Sequence, residues 1–260
     1  LSLSASGNPR HEAMVLCQLA LIDSRRGKFT QMLRRAVQAR ARAGEAGDRE
    51  IEARCLSAVA MAYDVLGVYG ESMQHRVNEL LIWQRLGRSA PVESLVHLAG
   101  LYQQLGRHEE AIVVAERCLT RSLAEHSPRH EARVRCTRAQ CLEALGRLDE
   151  AEVDLLAGQL IFAQIGDQEE SLRQEIRLGE LLCKQGKHHL ALDTLRRIRD
   201  SLPVDVSPRL EAELLAARAQ IADACGEDAV ERFSRALAWF ESLNMGAQMA
   251  KMHDALYRIH

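Results

Sequence analysis

The sequence predicts an all-α protein: six helical hairpins stacked into a right-handed α–α superhelix (a solenoid), followed by a C-terminal capping helix. Glycines recur six times at intervals of 39 or 40 residues, and a small residue lies seven positions before each one. Such a fixed period is the signature of a repeat architecture. Only five prolines and 4% aromatic residues argue against a β-sandwich. The glycines are Gly27, Gly67, Gly106, Gly146, Gly186 and Gly226, and the small residues are Ala20, Ala60, Ala99, Ala139, Gly179 and Ala219.

Each unit is predicted to contain two amphipathic helices. Apolar residues recur at steps of three and four before the glycine and again after it, which is helical spacing. The glycine ends the first helix, because the left-handed conformation found just after a helix rarely tolerates a Cβ. The third unit shows the pattern with Leu95, Leu98, Ala99 and Tyr102 in its first helix and Ala111, Ile112, Ala115, Cys118 and Leu119 in its second.

The breaks between units consist of Gly, Asp, Ser and Pro. Asp48, Asp167 and Ser207 are predicted N-caps, and Pro91, Pro128 and Pro208 suit the first turn of the following helix. We predict a linker over residues 1–9 and an array over 10–243. The units are 10–47, 48–88, 89–127, 128–167, 168–206 and 207–243, and a final helix spans 246–260.

The last two elements depart from the regular pattern. In unit six, Ala229 and Ala236 align with the small positions of the other units only if the turn after Gly226 is two residues shorter. The final stretch carries a stripe of Met249, Met252, Leu256 and Ile259. We expect this stripe to cap the apolar end of the array. The alternative is the start of a coiled coil that leads to an effector.

The chain resembles the tetratricopeptide repeat family over residues 11–240, and unit three matches best. Leu95, Leu98, Ala99, Tyr102, Gly106, Ala111, Ala115 and Cys118 fall at the family's characteristic large, small and glycine positions. The unit is longer than the family's usual ~34 residues. This extended form is similar to sensor and adaptor arrays of bacterial signalling proteins, namely one-component regulators and regions that precede diguanylate cyclase domains, and to kinesin light chains.

The resemblance implies that the first helices line a concave groove. Basic residues there would hold carboxylates of an acidic peptide, and glutamines would bond its backbone. No Asn occupies these positions, which disfavours chaperone-tail binding and weakens the analogy to quorum-peptide regulators. The candidate partner-binding residues are Arg54, Met61, Asp64, Gln103, Gln104, Arg133, Gln140, Arg173, Glu180, Lys184 and Gln220.

No pattern in the sequence supports catalysis or a cofactor. Gly27-Lys28-Phe29-Thr30 lacks the first glycine of a phosphate loop. His11-Glu12, His108-Glu109 and His130-Glu131 lack the second histidine of a helical zinc site. A G-x-S-x-G nucleophile elbow is also missing. We therefore expect a protein that is not an enzyme and binds no cofactor or metal.

Charge, hydropathy and cysteine usage restrict the possible partners and the cellular location. Residues 10–42 carry eight bases against two acids, or +6, but without the aromatic residues on which nucleic-acid bases stack. No apolar run approaches the ~18 residues of a membrane span. Seven cysteines without a C-x-x-C pair predict free thiols in a reducing, cytoplasmic location. Nucleic acid and membrane are therefore disfavoured partners.

These observations together predict a non-enzymatic module that binds a protein or peptide as a sensor or adaptor. The chain begins Leu1-Ser2-Leu3 rather than with Met. We expect it to be the regulatory region of a larger bacterial signalling protein, with a homodimer formed through the C-terminal helix as a further option. The alternative is a passive assembly scaffold that oligomerises through its ends or its convex face.

Overall fold

The computed structural model describes residues 8–202, 207–243 and 245–259. Within these ranges the chain forms thirteen α-helices and no strand, so the predicted all-α fold class is confirmed. Most of the predicted linker 1–9, the break at residues 203–206 and residue 260 lie outside the described residues. The helices are α1 Pro9–Arg25, α2 Phe29–Glu45, α3 Arg49–Val65, α4 Tyr69–Arg85, α5 Val92–Gln104, α6 His108–Ala124, α7 Pro128–Ala144, α8 Leu148–Gln164, α9 Gln168–Lys184, α10 His188–Ser201, α11 Pro208–Ala224, α12 Val230–Ser242 and α13 Gly246–Ile259.

The helices group into two compact units, of which unit 1 ends at Arg121 and unit 2 begins at Ser122. In unit 1, α1 packs on α2, and α3 packs on α2 and α4. In unit 2, α8 packs on α7 and α9, and α11 packs on α9, α10 and α12. Small residues such as Ala20, Ala36 and Ala39 are completely buried, which allows neighbouring helices to approach closely.

The predicted glycine stops are present, and Gly106 shows why they work. Its φ of 71° lies in the left-handed region, which a residue without a Cβ adopts at little cost. The next amide, on Arg107, then donates 2.9 Å back to the carbonyl of Tyr102 and satisfies the end of α5. His126 adopts the same region with a φ of 50° after α6.

The three predicted N-caps are confirmed by their hydrogen bonds. The side chain of Asp48 accepts from the amide of Ile51, that of Asp167 from Glu170, and that of Ser207 from Leu210. Pro91 differs from the prediction, because it is the N-cap of α5 and lies outside the first turn.

In the sixth hairpin the buried positions come two residues earlier, as predicted: Ala229 and Ala236 lie three and ten residues after Gly226, whereas Ala191 and Ile198 lie five and twelve residues after Gly186. The turn itself is not shorter, because α12 begins four residues after Gly226 and α10 begins two residues after Gly186. Phe233 and Phe240 are buried with the two alanines, and Met252 and Ala255 of α13 join them in one cluster. The apolar side of the final helix thus packs on α12 and belongs to one buried cluster with residues of α11 and α12.

Candidate functional site

Unit 1 contains a cleft of about 530 Å³, lined by residues of α1, α3, α4 and α5. This volume lies within the range of small-molecule and peptide pockets. The residues used below are Met14, Cys17 and Leu21 of α1, Arg54, Ser57 and Met61 of α3, Glu79 and Trp83 of α4, and Ser94 and His97 of α5.

One wall of the cleft is apolar and open to solvent. Met14 is 48% exposed and Leu21 is 36% exposed on α1, and the half-buried Met61 of α3 also lines the cleft. Exposed methionines adapt to irregular apolar surfaces. The wall therefore presents a flexible apolar surface that a ligand could cover.

A buried ion pair lies beneath the cleft. Arg76 Nη1 donates to Glu79 Oε2 over 2.6 Å and to Ser57 Oγ over 2.7 Å. Ser94 Oγ donates to the other oxygen of Glu79. The Nε1 of Trp83, which is buried beside the pair, has no hydrogen-bond partner within the described part of the chain. The Nε and Nη2 atoms of Arg76 also lack a partner there, so the floor is charged and polar and three of its donors are unused.

Ion pairs surround the rim. Arg54 and Arg88 both donate to Glu50, over 2.8 Å and 2.6 Å, and the hydrogen bond from Arg88 is the main reason why the pKa of Glu50 lies below its ordinary value. Arg10 pairs with Asp48 at 2.9 Å. These pairs are largely exposed, so each contributes little stability and can exchange partners.

Two thiols meet at the edge of the cleft. The Sγ atoms of Cys17 on α1 and Cys55 on α3 lie 3.1 Å apart. A hydrogen bond from Cys55 lowers the pKa of Cys17, while the same bond and burial raise the pKa of Cys55. Cys17 is half-buried and Cys55 is buried, so the first thiol is the reactive member of the pair.

The predicted groove residues of unit 1 are only partly brought together. Arg54 and Met61 line the cleft, whereas Asp64, Gln103 and Gln104 do not. Gln104 donates to Gln103 over 2.9 Å and accepts from the Tyr69 hydroxyl over 3.3 Å. The Oδ1 of Asp64 is buried without a hydrogen-bond partner among the residues described.

In unit 2 the predicted basic residues mostly have intramolecular partners. The guanidinium of Arg173 contacts Glu169, Glu170 and Glu213, and Lys184 pairs with Glu143. Binding of an acidic peptide to these two residues would therefore require release of their present carboxylates.

The other predicted residues of unit 2 differ in their surroundings. Arg133 is exposed, and no ion pair of its side chain occurs within the described ranges. Gln140 donates to the carbonyl of Cys136 over 3.3 Å, and Gln220 of α11 is half-buried. Burial raises the pKa of Glu180 to about 6.

The floor of the cleft was not predicted, because Glu79 and Trp83 lie on α4, the second helix of its hairpin. The sequence nevertheless contains a pattern that indicates it. In the first hairpin, Ala36 and Ala39 lie nine and twelve residues after the glycine. In the second hairpin, the residues at the same two positions are Arg76 and Glu79. Two charged residues at core positions of a repeat predict a buried pair.

In the comparison with protein families, the model described as tetratricopeptide repeat matches residues 92–154. Over these residues the chain is similar to the tetratricopeptide repeat family. The match covers α5, α6, α7 and part of α8. It begins in the third repeat, residues 89–127, which carries the resemblance. The comparison with curated proteins finds no match.

Solved structures with similar repeats extend the likeness to nearly the whole chain. A Rap protein complexed with competence and sporulation factor has a TM-score of 0.69 at 18% identity, covering 95% of this chain and 74% of its own. A tetratricopeptide repeat protein from Parabacteroides merdae has a TM-score of 0.65 at 19% identity, with coverages of 93% and 84%. A putative kinesin light chain from Podosopora anserina has a TM-score of 0.61 at 20% identity, with coverages of 75% and 96%. At these identities the likeness shows the fold alone.

Proposed function

We propose that the protein is a non-catalytic module that binds a peptide, or an extended segment of a partner protein, in the cleft of unit 1. The observation that carries this proposal is the apolar wall of Met14, Leu21 and Met61, which is open to solvent and lies above a polar floor. Pockets with apolar walls and a few placed polar groups are typical ligand sites. Repeats of this family generally act as interaction scaffolds, which favours binding over catalysis.

The residues of the cleft indicate what such a ligand offers. An apolar side chain would cover Met14 and Leu21, and its burial would supply most of the affinity. The unused N–H of Trp83 favours a ligand with a hydrogen-bond acceptor, such as a peptide carbonyl. Arg54 can exchange Glu50 for a ligand carboxylate because their pair is solvent-exposed.

The wider setting that we propose is the regulatory region of a larger bacterial signalling protein in the cytoplasm. The 40-residue unit supports this setting through its resemblance to bacterial sensor arrays. The Rap structure was solved with competence and sporulation factor, which supports a peptide ligand here. No helix of the described ranges is both long and apolar enough to cross a membrane. Four of the seven thiols, all of them free, are buried, as suits a reducing compartment.

Display selection of peptides on the full chain, followed by affinity measurement on variants, tests the binding proposal. Met14→Lys should weaken the selected peptides by about tenfold or more, because it places a charge in the apolar wall. Val37→Lys on α2 is the matched control: Val37 is also 48% exposed but does not line the cleft. Equal affinity of the two variants would exclude the cleft as the site.

A second candidate function is the assembly scaffold, and one observation favours it. On α8, Val153, Leu156 and Leu160 form a stripe at steps of three and four and are 64%, 45% and 55% exposed. An exposed apolar stripe of this kind marks many association surfaces. The dimer through the C-terminal helix has less support, since Met252 and Ala255 of α13 are already buried within unit 2.

Sedimentation of the full chain at several concentrations separates the two functions. A scaffold predicts a constitutive oligomer that Val153→Glu and Leu160→Glu convert to a monomer without loss of helix. A ligand-binding module predicts a monomer whose mass these substitutions leave unchanged.

A further inference from the structure

A second, smaller pocket lies in unit 2 where α10, α11 and α12 meet. Its volume is about 170 Å³, which is the room of roughly five or six water molecules. Arg196 and Arg199 of α10, Arg218 of α11 and Arg232 of α12 line it, and Glu227 is the single acidic residue of the lining. The lining thus carries four basic side chains and one acidic side chain.

This cluster of basic side chains contrasts with the sequence around it. Residues 188–242, which span α10, α11 and α12, contain ten acids and seven bases, a net charge of −3. The positive charge of the pocket is therefore a local arrangement made by three helices.

Three of the four arginines have weak internal partners. Arg196 pairs with Asp193 at 3.2 Å, Arg199 with Asp200 at 2.8 Å, and Arg232 with Glu227 at 3.2 Å. Each of these pairs is largely exposed to solvent, so water and salt screen it. The three guanidinium groups can turn toward an anion at little cost.

Arg218 differs from the other three. It is half-buried, and within the described part of the chain its side chain has neither a hydrogen bond nor an ion pair. Burial lowers its pKa, and the positive charges of Arg199, Arg232 and Arg235 lower it further. The guanidinium group of Arg218 is thus repelled by neighbouring arginines, and no carboxylate of the described residues neutralises it.

We propose that this pocket binds a phosphate group, held by Arg218 together with Arg199 and Arg232. The planar fork of arginine matches the geometry of phosphate oxygens and can bind them through paired hydrogen bonds. A phosphate group carries about −1.5 to −2 charges near pH 7, so clustered guanidinium groups attract it more strongly than they attract a single carboxylate. The group is either that of a phosphorylated residue on a partner or that of a small phosphate compound.

Isothermal titration of the full chain with three probes tests the proposal and separates the two sources. The probes are inorganic phosphate and the peptide Gly-Gly-Ser-Gly-Gly with and without phosphate on its serine, all at one ionic strength set with sodium chloride. Binding of both phosphate-bearing probes, but not of the plain peptide, is the expected result. Tighter binding of the phosphopeptide assigns the pocket to a phosphorylated partner, and tighter binding of inorganic phosphate assigns it to a small phosphate compound.

Two matched variants locate the site. Arg218→Gln removes the unpaired charge and should weaken phosphate binding by about tenfold. Arg235→Gln removes an exposed charge from the same helix as Arg232, outside the pocket lining, and should weaken it by less than about twofold. Both variants should keep the helical circular dichroism of the parent chain.

Two results would overturn the proposal. One is the absence of heat from inorganic phosphate at millimolar concentration. The other is equal phosphate affinity of the parent chain and Arg218→Gln. Because the pocket lies in unit 2 and the peptide cleft lies in unit 1, each experiment is independent of the other, and one site can fail while the other stands.

Discussion

Arg76 donates a hydrogen bond to Glu79 one helical turn away over 2.6 Å, and neither side chain reaches solvent. Breaking a buried pair from one side strands a charge, whereas replacing both partners with apolar groups does not. Glu79→Leu should therefore lower the free energy of unfolding by about 3 kcal/mol, and Arg76→Met with Glu79→Leu should recover most of it. Urea unfolding measures both, and a double variant as unstable as the single one would contradict this account.

The thiols of Cys17 and Cys55 should form a disulfide when the chain is oxidised with diamide, which takes up two hydrogens as the sulfur–sulfur bond forms. Their Sγ atoms, 3.1 Å apart, must approach by about 1 Å to reach bonding distance. Burial raises the pKa of Cys136 to about 12 and that of Cys141 to about 11, so those thiols should react more slowly. Peptide mapping without reduction identifies the product, and Cys17→Ser is the control that should prevent it.

Gly158 of α8 should not tolerate a side chain. A Cβ at this position would lie 2.8 Å from the Cys136 sulfur and 3.4 Å from the Ala132 carbonyl oxygen. We expect Gly158→Ala to lower the free energy of unfolding by about 1 kcal/mol, because overpacking outweighs the gain in helix propensity. Gly100→Ala is the matched control in α5, where the space is open, and it should be neutral or stabilising by up to about 1 kcal/mol. A stabilised Gly158→Ala protein would show that the two helices can move apart.

Glu180 should make the protein less stable as the pH rises through about 6. Burial raises its pKa in the folded state to about 6 from an ordinary 4.5, so the contribution of its protonated form is complete below pH 4.5 and is lost above pH 6. Glu180→Gln should exceed the parent in free energy of unfolding by about 1–2 kcal/mol at pH 7 and match it at pH 4.5. Urea unfolding at both pH values checks this, and a difference that does not change with pH would refute it.

Removal of residues 246–260 should expose the apolar cluster around Phe240. Met252 and Ala255 cover this cluster and are 2% and 5% exposed. Light scattering should show aggregation of the truncated chain, while Tyr257→Ser should behave as the parent does, since Tyr257 is 86% exposed. A dimeric parent that becomes a stable monomer on truncation would instead make α13 an association element.

The hairpins could be predicted from sequence because a glycine stop is a local event: Gly106 needs only its own turn to end a helix. Arg54 and Met61 are placed in the groove by the family resemblance, and both line the cleft. Glu79 reaches the cleft from a second helix through packing, which periodicity does not contain. The contact of Arg173 with Glu213, forty residues further along, likewise depends on how α9 meets α11.

Hairpins whose two helices pack on each other, such as α1 with α2 and α3 with α4, have a consequence for biosynthesis. Contacts between nearby segments form quickly, because little chain entropy must be lost before they are made. Hairpins such as α1–α2 and α3–α4 can therefore fold while later residues are still in the ribosome. The sixth hairpin is the exception, since the cluster around Phe240 stays open until α13 has emerged. The interval between the emergence of α12 and the emergence of α13 is then the time at which this part of the chain is most exposed to aggregation and to chaperones.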